Sequence, residues 1–137
     1  MSYKLSIAQG PGYLHAIVTG KNTKENVARY LEELQRECIA RGCTRVLIEE
    51  RLEGPRIGTM DVFSIASEMS VHAREFLDAI AYVDVNAEND RNMKFAETVA
   101  VNRGLRGRAF RSIQDAKEWL LSKDRGNVQP GPSGGRE

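Results

Sequence analysis

The chain has 137 residues, a hydrophobic content of 41% and a formal net charge of +1. That length fits one domain, and a chain of this size buries roughly two thirds of its unfolded surface. The charge balance excludes a generally basic nucleic-acid protein and an acidic disordered one, and two cysteines cannot make a disulfide framework.

Along the chain, Tyr3, Leu5 and Ile7 alternate with Lys4, Ser6 and Ala8, which predicts a strand over 3–9 with one wetter face, at a sheet edge. Gln9-Gly10-Pro11-Gly12 is a turn, and the more uniformly apolar 13–19 is a covered strand that closes a hairpin. Asn22 and Glu25 have capping-box spacing ahead of a helix from Thr23 to Arg41. Its apolar stripe is Val27, Leu31, Leu34 and Cys38, and Gly42 is placed to end it.

Val46-Leu47-Ile48 reads as a short buried strand followed by a charged loop from Glu49 to Arg56. A second helix begins near Thr59 and carries Val62, Ile65, Ala66, Met69 and Ala73. Ile80 to Val85 is a strand, and Asp90 is placed to cap a third helix through Met93, Ala96, Val99 and Ala100, ended by Gly104. Gly107 to Phe110 is a last short strand. Ser112 and Asp115 resemble a capping box for a fourth helix with Ile113, Ala116, Trp119 and Leu120.

From Arg125 the apolar pattern stops, and the Gly- and Pro-rich segment 125–137 is expected to be a disordered tail behind a single domain over 1–124. Alternating strands and helices imply right-handed crossovers. The expected fold is α/β: a five-stranded mixed sheet, an N-terminal hairpin with the remaining strands mostly parallel, and four helices.

Ala79-Ile80-Ala81-Tyr82-Val83, a helix through Lys94-Phe95-Ala96, Gly107-Arg108-Ala109-Phe110 and the run from Ser112 to Trp119-Leu120 carry a resemblance. In this order of elements, over roughly residues 3 to 121, the chain resembles the anti-sigma-factor antagonist (STAS) fold, in its SpoIIAA-like branch. The better-known regulators of that family carry Asp-Ser-Ser-Gly at the start of the second helix, with the first Ser phosphorylated. The matching stretch here is Ile57-Gly58-Thr59-Met60-Asp61. The resemblance therefore singles out Thr59 as a phosphoacceptor. Gly58 replaces the preceding Asp and the following Gly is missing, so the role expected of Thr59 is that of a helix cap.

Six cations, Arg91, Lys94, Arg103, Arg106, Arg108 and Arg111, stand against one acid, Glu97, between 91 and 111. This asymmetry marks a candidate face for an anionic partner; the plain alternative is a solvated face balanced by acidic loops elsewhere. An acidic protein, nucleic acid or an anionic membrane surface would fit such a face, but interleaved exposed aromatics are nearly absent, so the sequence gives no clear sign of a nucleic-acid partner. Glu49, Glu50 and Glu53 follow one strand, and Asp84, Glu88 and Asp90 another. A Mg²⁺ site is conceivable if the strands adjoin, but two solvated acidic loops are the expectation.

No catalytic set, metal site or cofactor is expected. His15 and His72 lack partners at ligand spacing, Cys38 belongs to an apolar stripe, and no nucleophile elbow surrounds Ser64, Ser67 or Ser70. No leader and no spanning segment is visible, so a soluble cytoplasmic domain is expected. The functional expectation is a non-catalytic regulatory or protein-interaction domain with a protein partner. The alternative is a small-ligand or lipid-binding module with a pocket between sheet and helices. A closed core with Met69 and Phe76 buried would favour the first, and an open apolar cleft the second.

Overall fold

The structure, a computed structural model, describes residues 3–55, 57–84 and 90–126. Nine elements follow one another: β1 (Tyr3–Gly10), β2 (Tyr13–Lys21), α1 (Lys24–Arg41), β3 (Arg45–Glu53), α2 (Thr59–Ala73), β4 (Ala79–Asp84), α3 (Asp90–Asn102), β5 (Gly107–Phe110) and α4 (Ile113–Gly126). The five strands form one sheet in the order β1-β2-β3-β4-β5. The hairpin β1–β2 is antiparallel and the other three pairings are parallel. The expected mixed α/β sheet with four helices is the observed architecture.

Because side chains alternate across a strand, successive residues of β2, β3 and β4 serve two cores. Leu14, Ala16, Val18, Val46, Ile48 and Ile80 pack under α1, with Ala73 of α2 and Ala100 of α3. Tyr13, Leu47, Ala79, Ala81 and Val83 face the other way, onto Ala116 and Leu120 of α4. Leu34 and Cys38 are buried on the predicted stripe of α1. Burial pushes the Cys38 thiol up to about 11, as suits a core residue rather than a reactive one. Among the described residues, no helix is long and apolar enough to cross a membrane.

Four local expectations are corrected. Thr23, not Asn22, holds the N-cap of α1, its hydroxyl accepting from Asn26 N at 3.1 Å. Asn22 instead donates to the carbonyl of Pro55 at 3.3 Å. β3 does not stop at Ile48. It runs to Glu53, paired with β2 as far as Lys21, because Glu49 and Glu50 find side-chain partners on the two faces of the sheet. Gly58, not Thr59, is the N-cap of α2, and no side chain caps that helix. Its extended backbone (φ −69°, ψ 157°) makes the entry, which leaves Thr59 as the first helical residue, exposed. Finally, α4 continues through Gly126, past the expected start of the tail; residues 127–137 lie outside the described residues.

Gly42 ends α1 in the left-handed conformation (φ 65°), donating its N–H to the last turn as the sequence implied. Ser112 accepts from Asp115 N at 3.1 Å at the head of α4, one half of the expected box.

Candidate functional site

Glutamates 49 and 50 are adjacent in sequence and therefore point to opposite faces of the sheet. Glu49 lies on the α4 side. There it bonds His15 Nε2 at 3.0 Å and accepts from Arg51 Nε at 2.6 Å. Burial pulls its carboxyl upward, but the hydrogen bonds from Arg51 and His15 outweigh this and hold it below the usual range.

Glu50 lies on the side of α1 to α3 and is fully buried. Its Oε2 accepts from the hydroxyls of Tyr30, on α1, and Tyr82, on β4, the latter at 2.8 Å. The two hydroxyl oxygens are 2.7 Å apart, so three oxygens form a closed triangle. With both hydroxyls donating to Glu50 Oε2, a proton on Glu50 bridges outward to Asp84, the residue paired with Glu50 across the β3–β4 ladder. Burial raises the Glu50 carboxyl to about 7, with the Asp84 charge adding to it, while the two tyrosine hydrogen bonds oppose the rise. Burial and then the Glu50 charge push the Tyr30 and Tyr82 hydroxyls well above the ordinary phenol range, so both remain donors.

Glu50 and Tyr82 of this cluster line an apolar cleft between the sheet and the helices. The cleft encloses about 800 Å³ of empty space, its open mouth included. Its walls come from Val62, Ile65, Ala66 and Met69 of α2, Met93, Ala96 and Ala100 of α3, Val27 and Leu31 of α1, and Ile80 of β4. Glu50, Tyr82, Asp84, Asn92 and Glu97 supply most of its polar lining. Gly107 lets β5 approach closely: a Cβ there would stand 3.3 Å from both Ala100 Cβ and Ile80 Cγ2. The cleft lies near the carboxyl ends of β3 and β4, where open parallel sheets place their ligands. Neither Met69 nor Phe76 is fully buried.

The acids expected in two solvated loops thus separate three ways. The structure brings Glu50 and Asp84 together, sends Glu49 to the opposite face, and leaves Glu53 exposed. Glu88 lies outside the described residues, and Asp90 is the first residue of α3. Among the described residues, no group of three acids, histidines or cysteines is arranged to hold a metal ion.

The basic run does not form one face. Arg103 lies against α2, with its Nε donating to Ser67 Oγ at 2.9 Å and its guanidinium 5.7 Å from the centre of the Phe63 ring. Arg108 stands 5.3 Å from the ring of Phe110, which packs on Trp119 on the α4 side of the sheet. Lys94 is 3.9 Å from Glu97. Arg91, Arg106 and Arg111 are exposed. The reason is the alternation of β5 and the turn before it, which carry neighbouring cations to opposite sides of the sheet.

The sequence pattern singles out neither Tyr30 nor Tyr82 as a site residue. Their one legible signal is that both rings end in a hydroxyl, and a buried hydroxyl requires a partner.

No family model matches this chain, and no curated protein does. Among solved structures, the chain is similar to an uncharacterised protein of the DUF3478 family with a SpoIIAA-like fold from Shewanella loihica PV-4. The identity is 19% over 86% of this chain and 93% of that one, with a TM-score of 0.53. The fold is therefore SpoIIAA-like, as the order of elements implied.

Proposed function

We propose that this SpoIIAA-like domain is a binding module for a small, largely apolar molecule, acting without turnover. The observation that carries the reading is the apolar cleft between sheet and helices, with a few polar groups in its lining. Ligand sites have this make-up, predominantly apolar walls with a small number of polar groups. The histidines, the ordinary proton carriers near neutral pH, stand away from it: His15 on the other face of the sheet, His72 exposed on α2. Glu50 has the pKa of a working acid, but its carboxyl is engaged by two tyrosine hydroxyls that donate to it and by Asp84.

Titration of the full chain with Nile red, an uncharged apolar fluorophore, tests the reading. A saturable, blue-shifted emission is expected, lost in Ala96→Trp, which fills the cleft from α3. Absence of saturable binding, or binding that Ala96→Trp leaves unchanged, overturns it.

Docking of a protein partner is the second reading. Met60 is 75% exposed and Phe63 38% exposed on α2, an apolar pair on the outer side of the helix. A partner that docks there is lost from Met60→Glu with Phe63→Glu and retained by Ala96→Trp.

A further inference from the structure

Apart from the cleft, we propose that Cys38 and Cys43 form a reversible disulfide within the chain, closing the turn between α1 and β3. The chain leaves α1 through a complete Schellman turn. Gly42, left-handed at φ 65°, donates its N–H to Ile39 O at 3.2 Å, and Cys43 donates its N–H to Cys38 O at 2.9 Å. Such a turn sets the side chains of the two residues joined by its outer bond against each other, usually as an apolar contact. Here both are cysteines. The 2.9 Å bond and the covalent lengths on either side of it hold the two Cα atoms within roughly 7 Å, the outer limit of what a disulfide spans.

Burial and charge place the two thiols in one neighbourhood as well. Cys38 is 1% exposed in the core under α1, and Cys43 packs half-buried against that same core. Burial pushes the Cys38 thiol up to about 11, and the charge of Cys43 adds to the rise. Cys43 is the more exposed of the two, and its thiol donates to the Arg45 carbonyl at 3.3 Å. One thiol is thus open to a reagent from solvent, and the other waits behind it.

The oxidant is a low-molecular-weight disulfide, RSSR. The Cys43 thiolate attacks one of its sulfurs, releasing RS⁻ and leaving a mixed disulfide on Cys43. The Cys38 thiolate then attacks the Cys43 sulfur and releases the second RS⁻. Each cysteine gives up one proton, two electrons pass from the pair to RSSR, and RSSR leaves as two thiols. The high pKa of Cys38 slows the second step, and its fixed place beside Cys43 offsets that. An added dithiol reverses both steps.

The test equilibrates the reduced full chain with mixtures of oxidised and reduced glutathione, quenches with acid, blocks the remaining thiols with N-ethylmaleimide in urea, and weighs the intact chain. A monomer lighter by two hydrogens, carrying neither maleimide nor glutathione, is expected, and dithiothreitol should restore both maleimide sites. At one glutathione ratio, the closed form should be favoured over the open one at least about tenfold more in the folded chain than in the chain unfolded in urea, because the turn itself brings the thiols together. Cys38→Ser should stop at the mixed disulfide, with one glutathione on Cys43. Cys43→Ser should keep a Cys38 thiol that glutathione does not reach, and it keeps the test open should the first variant fail to fold. A folded chain whose two thiols stay free even in oxidised glutathione alone, one that carries glutathione on both, or one that forms disulfide-linked dimers overturns the proposal. So does a preference for the closed form no greater in the folded chain than in urea.

Discussion

Glu50 and Asp84 occupy paired positions on the parallel strands β3 and β4, and both face the same apolar cleft. Glu50 is buried under two tyrosine hydroxyls. The arrangement places an acid with a pKa raised to about 7 in the lining of an apolar cleft.

This acid makes stability depend on pH. Its folded pKa, about 7, is raised above the ordinary 4.5. Between those values the folded chain holds a proton that the unfolded chain releases. Stability is therefore fully present below pH 4.5, falls as pH rises towards 7, and is level above. The loss is on the order of 3 kcal/mol. Glu50→Gln is neutral throughout, so its unfolding midpoint in urea should not follow that fall. The other groups facing Glu50 are Tyr30, Tyr82 and Asp84, and the tyrosines stay protonated across this window. Glu49, held low, acts with the opposite sign and below it. Parallel pH profiles for wild type and variant would overturn this account.

Tyr30→Phe removes one donor from a buried carboxylate and leaves the ring in place. It is expected to destabilise by about 1–3 kcal/mol and to raise the Glu50 pKa further. Carbon-detected NMR titration of the Glu50 carboxyl reads the second effect directly, and an unchanged or lower pKa would contradict the hydrogen bond.

Helix entry gives a paired prediction. Thr23→Ala loses the side-chain cap of α1 and should cost about 1 kcal/mol. Thr59→Ala removes an exposed side chain from a helix whose cap is Gly58, and should change stability by less than about 0.5 kcal/mol. Equal costs in denaturant unfolding would show that Thr59 caps α2 after all. Mass spectrometry of protein from its own cell decides the phosphoacceptor reading of Thr59: stoichiometric phosphate would support it.

Leu34→Ala empties a site that is 3% exposed in the core under α1 and should cost about 2–5 kcal/mol. A loss well under 1 kcal/mol would mean that α1 presents another face to the sheet.

The order of nine elements was legible because each carries its own period. Leu34 and Cys38 stand on a helical stripe, Tyr3, Leu5 and Ile7 alternate, and Gly42 and Gly104 mark helix ends by backbone conformation alone. These are local properties, set by sterics and by the burial of one face. The fate of the glutamates was not local. Glu49 and Glu50 read as a solvated loop because a charged pair rarely enters a covered strand. The sheet admits them since His15 and Arg51 wait on one face and Tyr30 and Tyr82 on the other, partners up to 34 residues away in sequence. The same distance in sequence hid the meeting of Glu50 with Asp84, which depends on β3 and β4 being neighbours in a given register. It also hid the separation of Arg103 from Arg108, five residues apart and on opposite sides of the sheet. Residue order set which segments became strands and helices; only strand pairing and helix packing decided which side chains shared a desolvated space, and desolvation is what gives the Glu50 cluster its chemistry.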